Sequence, residues 1–190
     1  MRMWITSTLA AALLTQGALA SSPADGPLDA TLRSSSGDEV RLSRWRGKPV
    51  ILFYEDKDST TLNAGMKEEL FARGKERNLL GSAWVVAVAN LRKFDFFPAR
   101  QIALSYVRDE EKKVGVPILV DMDGTLGAPP WGLPMKTSNI LLLDAQGALV
   151  YRHSGKMKPE EQVAFFSALS QLVGVDLNTP AAPKAPEAAP

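Results

Sequence analysis

VILFYEDKDSTTLNAGMKEEL, residues 50–70, is the stretch whose reading decides the fold. Residues 50–54 are apolar without polar alternation, which marks a strand covered on both faces. A short polar turn follows. From Thr60 to Arg77 the spacing is helical, with Leu62, Met66, Leu70 and Phe71 on one side. A buried strand that turns directly into an amphipathic helix is the first half of a β-α-β unit, whose crossover is right-handed.

Reading outward, AWVVAVAN (83–90) is a second buried strand, and 98–113 is a second helix with Pro98 at its first turn. VPILVD (116–121) is a third strand. SNILLLD, the turn AQG and ALVYRHS form a hairpin, and KPEEQVAFFSALSQLV (158–173) closes with an amphipathic helix ended by Gly174. Upstream, PLDATLRSSSGDEVRL (27–42) alternates on either side of Ser36-Gly37-Asp38, a hairpin signal. The order hairpin, βα, βα, β, hairpin, α predicts an α/β three-layer sandwich. Trp45 and Trp84 are assigned to its core, where large apolar side chains usually go.

Both ends differ from this middle. Residues 1–20 carry Arg2, an apolar run over 4–14 and the small-residue motif Ala18-Leu19-Ala20, the layout of a cleavable export signal. The apolar run is shorter than the ~20 residues that span a bilayer. Cleavage is expected near Ala20, giving a periplasmic or secreted protein with no stable membrane insertion. Residues 176–190 are rich in Ala and Pro and have no apolar periodicity, so a disordered or polyproline tail is expected. The predicted organisation is a signal at 1–20, a linker at 21–27, one domain at 28–175 and a tail at 176–190.

Composition excludes several functions. With 22 Lys+Arg against 21 Asp+Glu there is no basic excess to hold nucleic acid. The chain has no cysteine, so disulfides, thiolate metal sites and thiol catalysis are closed to it. Asp121-Met122-Asp123-Gly124 matches the start of a calcium loop, but the later ligands are missing at the required spacing, and it reads as a turn. No metal or cofactor is assigned.

LDATLRSSSGDEVRLSRWRGKPVILFY, the helix and strand over 98–121, and SNILLLDAQGALVYRHSG together resemble the redoxin branch of the thioredoxin-like superfamily. In that pattern the N-terminal hairpin and the inserted helix and strand are redoxin features. Within the branch the chain is most similar to the YtfJ family of exported bacterial proteins. The likeness lies in the leader, in LVDMDG (119–124) and in Thr137-Ser138 ahead of ILLLD. The resemblance implies export and a thioredoxin-like fold. It also places Ser59 where the attacking cysteine of a redoxin stands, Leu62 at the resolving cysteine, and Ser138 at the cis-proline. With all three marks of thiol exchange missing, the resemblance implies a redox-inactive protein. A cis bond before a non-proline costs roughly 2.5–4 kcal/mol, so the bond between Thr137 and Ser138 is expected to be trans.

Ligands of open α/β sheets sit at the carboxyl ends of the parallel strands. One candidate binding corner there is Lys57, Asp58, Ser59, Thr60 and Thr61 with Thr137 and Ser138. It is expected at a helix N-terminus, with Asp58 or Ser59 as the cap. A second candidate is the pair of aromatic and basic loops, with Arg92, Lys93, Phe94, Phe96, Phe97 and Trp131. Burial as an edge plug is the commoner fate of such aromatics. The function expected is binding of a peptide, a protein of the cell envelope or a small anion. The alternatives are a hydrolase using Ser59, which needs His153 within hydrogen-bond reach, and a structural part of an envelope complex.

Overall fold

The computed structural model describes residues 26–181. The expected export signal, most of the linker and the tail from residue 182 lie outside them. The apolar run that begins at Val50 forms the middle of the sheet. β3 (Val50–Glu55) runs parallel to β4 (Trp84–Asn90) on one side and antiparallel to β6 (Asn139–Leu143) on the other. β5 (Ile118–Asp121) extends the parallel part beyond β4. The hairpin of β1 (Thr31–Arg33) and β2 (Glu39–Arg41) pairs onto β5, and β7 (Leu149–Ser154) closes the far edge on β6. The seven strands stand in the order β2-β1-β5-β4-β3-β6-β7.

Both faces of β3 are covered, which is why its sequence does not alternate. Ile51 and Phe53 pack under α1 (Ala64–Glu76) and α4 (Pro159–Val173), against Met66, Leu70, Phe165 and Leu169. Leu52 and Tyr54 face the other way, toward Trp45, Leu126, Trp131 and Leu133. α3 (Ala99–Val114) lies on the α1 side, where Val107 packs with Val120. The crossovers β3-α1-β4 and β4-α3-β5 step the same way across the sheet, so right-handed connections put both helices on one face. A short α2 (Leu79–Ser82) bridges α1 to β4. The β6–β7 turn is the expected one: Asp144 Oδ1 accepts from the N–H of Gln146 and of Ala148, and Gly147 takes φ 90°.

Three details depart from the sequence reading. Trp84 is 41% exposed. It shares a face with Val86 and Val88 but stands on the first rung of β4, where only the Lys48 ammonium lies over its ring, at 5.1 Å. The helix begins at Ala64 rather than Thr60, and Phe71 turns aside from the buried pair Met66 and Leu70. The packed chain also runs on past residue 175. Leu177 is fully buried, the Arg73 guanidinium stacks 3.9 Å over Phe166, and its Nη1 donates to the carbonyl of Leu177 at 2.5 Å. Ala181 N–H then donates to Glu69 at 3.1 Å. Those partners sit on α1, so composition of the last residues alone does not reveal them.

Candidate functional site

The polar corner after β3 is tied to itself. Ser59 Oγ donates to Asp56 Oδ1 at 2.9 Å and accepts from Asp56 N–H at 3.0 Å, while Asp56 Oδ2 accepts from Lys136 N–H at 2.8 Å. Ser59 is 1% exposed. Neither it nor Asp58 caps the helix, because α1 starts after Asn63, four residues beyond Ser59. Asn63 makes no cap bond either; its Nδ2 donates to Ser138 Oγ at 3.0 Å and to the carbonyl of Gly155 at 2.8 Å, and its Oδ1 accepts from Met157 N–H at 2.8 Å.

Ser138 is equally occupied. Its hydroxyl is fully buried and donates to Glu55 Oε1 at 2.6 Å; Glu55 Oε2 in turn accepts from Lys67 Nζ at 2.6 Å. The ammonium of Lys67 also reaches the carbonyl of Thr60 at 2.9 Å. Among the described residues the cis bonds are Phe97–Pro98 and Pro129–Pro130, so the bond between Thr137 and Ser138 is trans as expected. Thr137 is half-buried, and Lys57, Asp58, Thr60 and Thr61 are exposed. The hollow between Lys57, Asp58, Lys93, Phe94 and Met135 holds about 40 Å³, room for a water and not for a ligand.

This arrangement leaves Ser59 without the histidine that a hydrolase reading requires. Every partner of its hydroxyl belongs to Asp56. His153 sits on β7 opposite Ile140, with Nδ1 3.9 Å from Glu161 Oε1 and Nε2 buried without a partner. Asp121 is likewise a structural group: Oδ1 accepts from Thr125 N–H, and Oδ2 accepts from Leu126 N–H and the Tyr54 hydroxyl. Burial, reinforced by the charge of Asp121, pushes the Tyr54 phenol above its ordinary range.

The aromatic loops divide. Trp131 is 2% exposed, and its indole N–H donates to the carbonyl of Asp29 at 3.2 Å. Phe94 is half-buried against Leu91 and Val107. Both are the expected edge plug. Phe96 and Phe97 are not: they stand 60% and 81% exposed, with Arg92 and Lys93 exposed beside them.

A further feature was not among the sequence candidates. A groove of about 270 Å³ lies between α1 and α3. Its floor is Phe53, Val85, Ala87 and Ala89, and Phe71, Tyr106 and Val114 stand along its walls. Glu55, Thr60 and Lys67 close one end, the ammonium 5.4 Å from the Phe53 ring centroid. The groove exists because β4 presents alanines toward the helices, which leaves the floor low between them. In the sequence, Ala87 and Ala89 of AWVVAVAN permit such a groove without marking it.

No family model and no curated protein matches the chain. Solved structures do match in fold. A Chlorobium tepidum protein described as the thiol:disulfide interchange protein DsbE superposes with TM-score 0.58 at 18% identity, over 80% of this chain and 98% of that one. Peroxidoxin BcpB from Mycobacterium tuberculosis gives 0.53 at 21%, over 80% and 97%. The pneumococcal exposed lipoprotein thioredoxin Etrx1 from Streptococcus pneumoniae gives 0.52 at 22%, over 76% and 100%. The chain therefore has the redoxin-type thioredoxin-like fold, and with no cysteine in it thiol oxidoreductase and peroxidase chemistry is closed to it.

Proposed function

We propose that the protein is an exported, YtfJ-like binding protein that holds an extended apolar peptide, from a protein of the cell envelope, in the groove between α1 and α3. The observation that carries this reading is the groove itself: an apolar concavity with a few polar groups, here Glu55, Thr60 and Lys67 at one end and Glu110 on the α3 wall, is the usual form of a ligand site. The corner around Ser59 and Ser138 supports it from the opposite side. Its buried groups, Asp56, Ser59 and Ser138, already have partners, so it serves as the rigid end wall of the groove rather than as the contact surface.

An array of extended peptides tests the proposal. The groove reading expects capture of peptides with apolar side chains, and a loss of roughly tenfold or more in Phe71→Arg, since a wall aromatic is a typical anchor. Lys57→Ala with Thr61→Ala, on the exposed part of the corner, is expected to capture as the unaltered protein does. Capture that survives Phe71→Arg and falls in the corner variant would overturn the assignment. Export is checked separately, by N-terminal sequencing of the protein purified from cells; a start at Ser21 is expected, and a retained Met1 on the processed material contradicts it.

A further inference from the structure

We infer that the loop end of the molecule, beyond the carboxyl ends of β3 and β4, docks reversibly on an anionic phospholipid surface. Phe97 and Phe96 project there at 81% and 60% exposure, and Met135 at 48%. Ile102, one turn into α3, adds a fourth bare apolar side chain at 68% exposure. Lys57, Arg92, Lys93 and Lys136 are exposed on the same loops. The loops meet: Lys57, Lys93 and Met135 line one small hollow, and Lys136 N–H is bonded to Asp56. Of the acidic groups nearby, Asp95 is paired with Arg100, which leaves Asp58 and Asp123 against the exposed cations.

This combination selects its occupant. Burial is the ordinary fate of a phenylalanine, and here two adjacent ones project from a tip ringed by cations. The hollow between Lys57, Lys93 and Met135 holds only about 40 Å³, and the larger one beside it, about 420 Å³, carries Arg33, Asp95, Arg100 and Asp123 on its lining, so neither is an apolar socket for a partner's side chain. An exposed apolar tip with basic residues around it matches the boundary of a bilayer: rings enter between headgroups while lysine and arginine meet anionic lipid. Among the described residues no helix is long and apolar enough to cross a membrane, so the contact is peripheral. The inference does not depend on the groove, which opens between the helices and not at the tip.

The test uses the whole chain and vesicles of phosphatidylcholine with or without phosphatidylglycerol. Sedimentation with the anionic vesicles is expected, with partitioning lower by roughly tenfold or more on neutral vesicles, for Phe96→Ser with Phe97→Ser, and for Arg92→Glu with Lys93→Glu. These side chains are exposed, and an unchanged circular dichroism spectrum establishes that the variants fold. Since the chain has no cysteine, a dye sensitive to polarity can be placed at one position alone. On Gln101→Cys it should brighten and shift to the blue with anionic vesicles, and on Gln146→Cys, in the β6–β7 turn, it should not change. Absence of binding to any vesicle, equal binding to neutral ones, indifference to the phenylalanine substitutions, or an equal response at Gln146 would each overturn the inference. The first of these would reassign the tip to a protein partner.

Discussion

At the scale of single residues, Asn63 joins three parts of the chain through one carboxamide, meeting Ser138, Gly155 and Met157. Replacement by alanine strands the buried N–H of Met157 and the partly buried carbonyl of Gly155, and takes a donor from the buried Ser138 hydroxyl. The expected cost is about 3 kcal/mol, read from urea unfolding, because each buried group left unpaired costs roughly 1–3 kcal/mol. Asp58→Ala is expected to change stability by less than about 0.5 kcal/mol, as an exposed residue outside any cap. If Asp58→Ala cost as much as Asn63→Ala, the account of this corner would fail. None of this was legible in the sequence. An asparagine before a helix reads as a cap, and a serine in a polar turn reads as exposed, because local rules see only neighbours along the chain. The partners of Asn63 on the hairpin side lie 75, 92 and 94 positions away. The trans bond before Ser138 was legible, because it depends on the residue type alone.

At the scale of elements, α1 is bound to the segment that follows α4. Glu69 accepts from Arg73 on its own helix and from Ala181 N–H, and those two hydrogen bonds, the arginine's first, hold its carboxyl below the ordinary glutamate range. A depressed native value means that the stabilisation is complete above the unfolded-state value and is lost as pH falls through the native one. The contact should therefore loosen from about pH 4 downward. Since Glu69 is partly exposed, the effect is local rather than global. The amide signal of Ala181 is the readout: a shift with acid that disappears in Glu69→Gln is expected, and an identical acid response in that variant contradicts the assignment. Most elements were legible from periodicity, as in the unbroken apolar run of β3 and the alternation around Gly37. The errors fall where an element meets its rim. Trp84 reads as core because it opens a buried strand, yet the side chains covering Val86 and Val88 do not reach it.

At the scale of the whole molecule, the order of strands and helices predicted an α/β three-layer sandwich, the resemblance carried by the stretches around residues 28–54, 98–121 and 138–155 narrowed it to the redoxin-type thioredoxin-like fold, and the absence of cysteine then removed that fold's thiol chemistry. Purified protein is accordingly expected to leave insulin disulfides unreduced and peroxide unconsumed in the presence of a thiol donor; turnover that follows the protein through purification would contradict this. The groove was the part that sequence could not give. It depends on the spacing between α1 and α3, which the alanines of β4 permit but do not announce. The most direct test of binding in that groove is to map the tightest peptide from the array by amide and side-chain chemical shifts on the full chain. The account predicts perturbations concentrated at Phe71, Tyr106, Val114 and Lys67. Perturbations concentrated instead at Lys57, Thr61 and Thr137, with Tyr106 and Val114 unmoved, would contradict it.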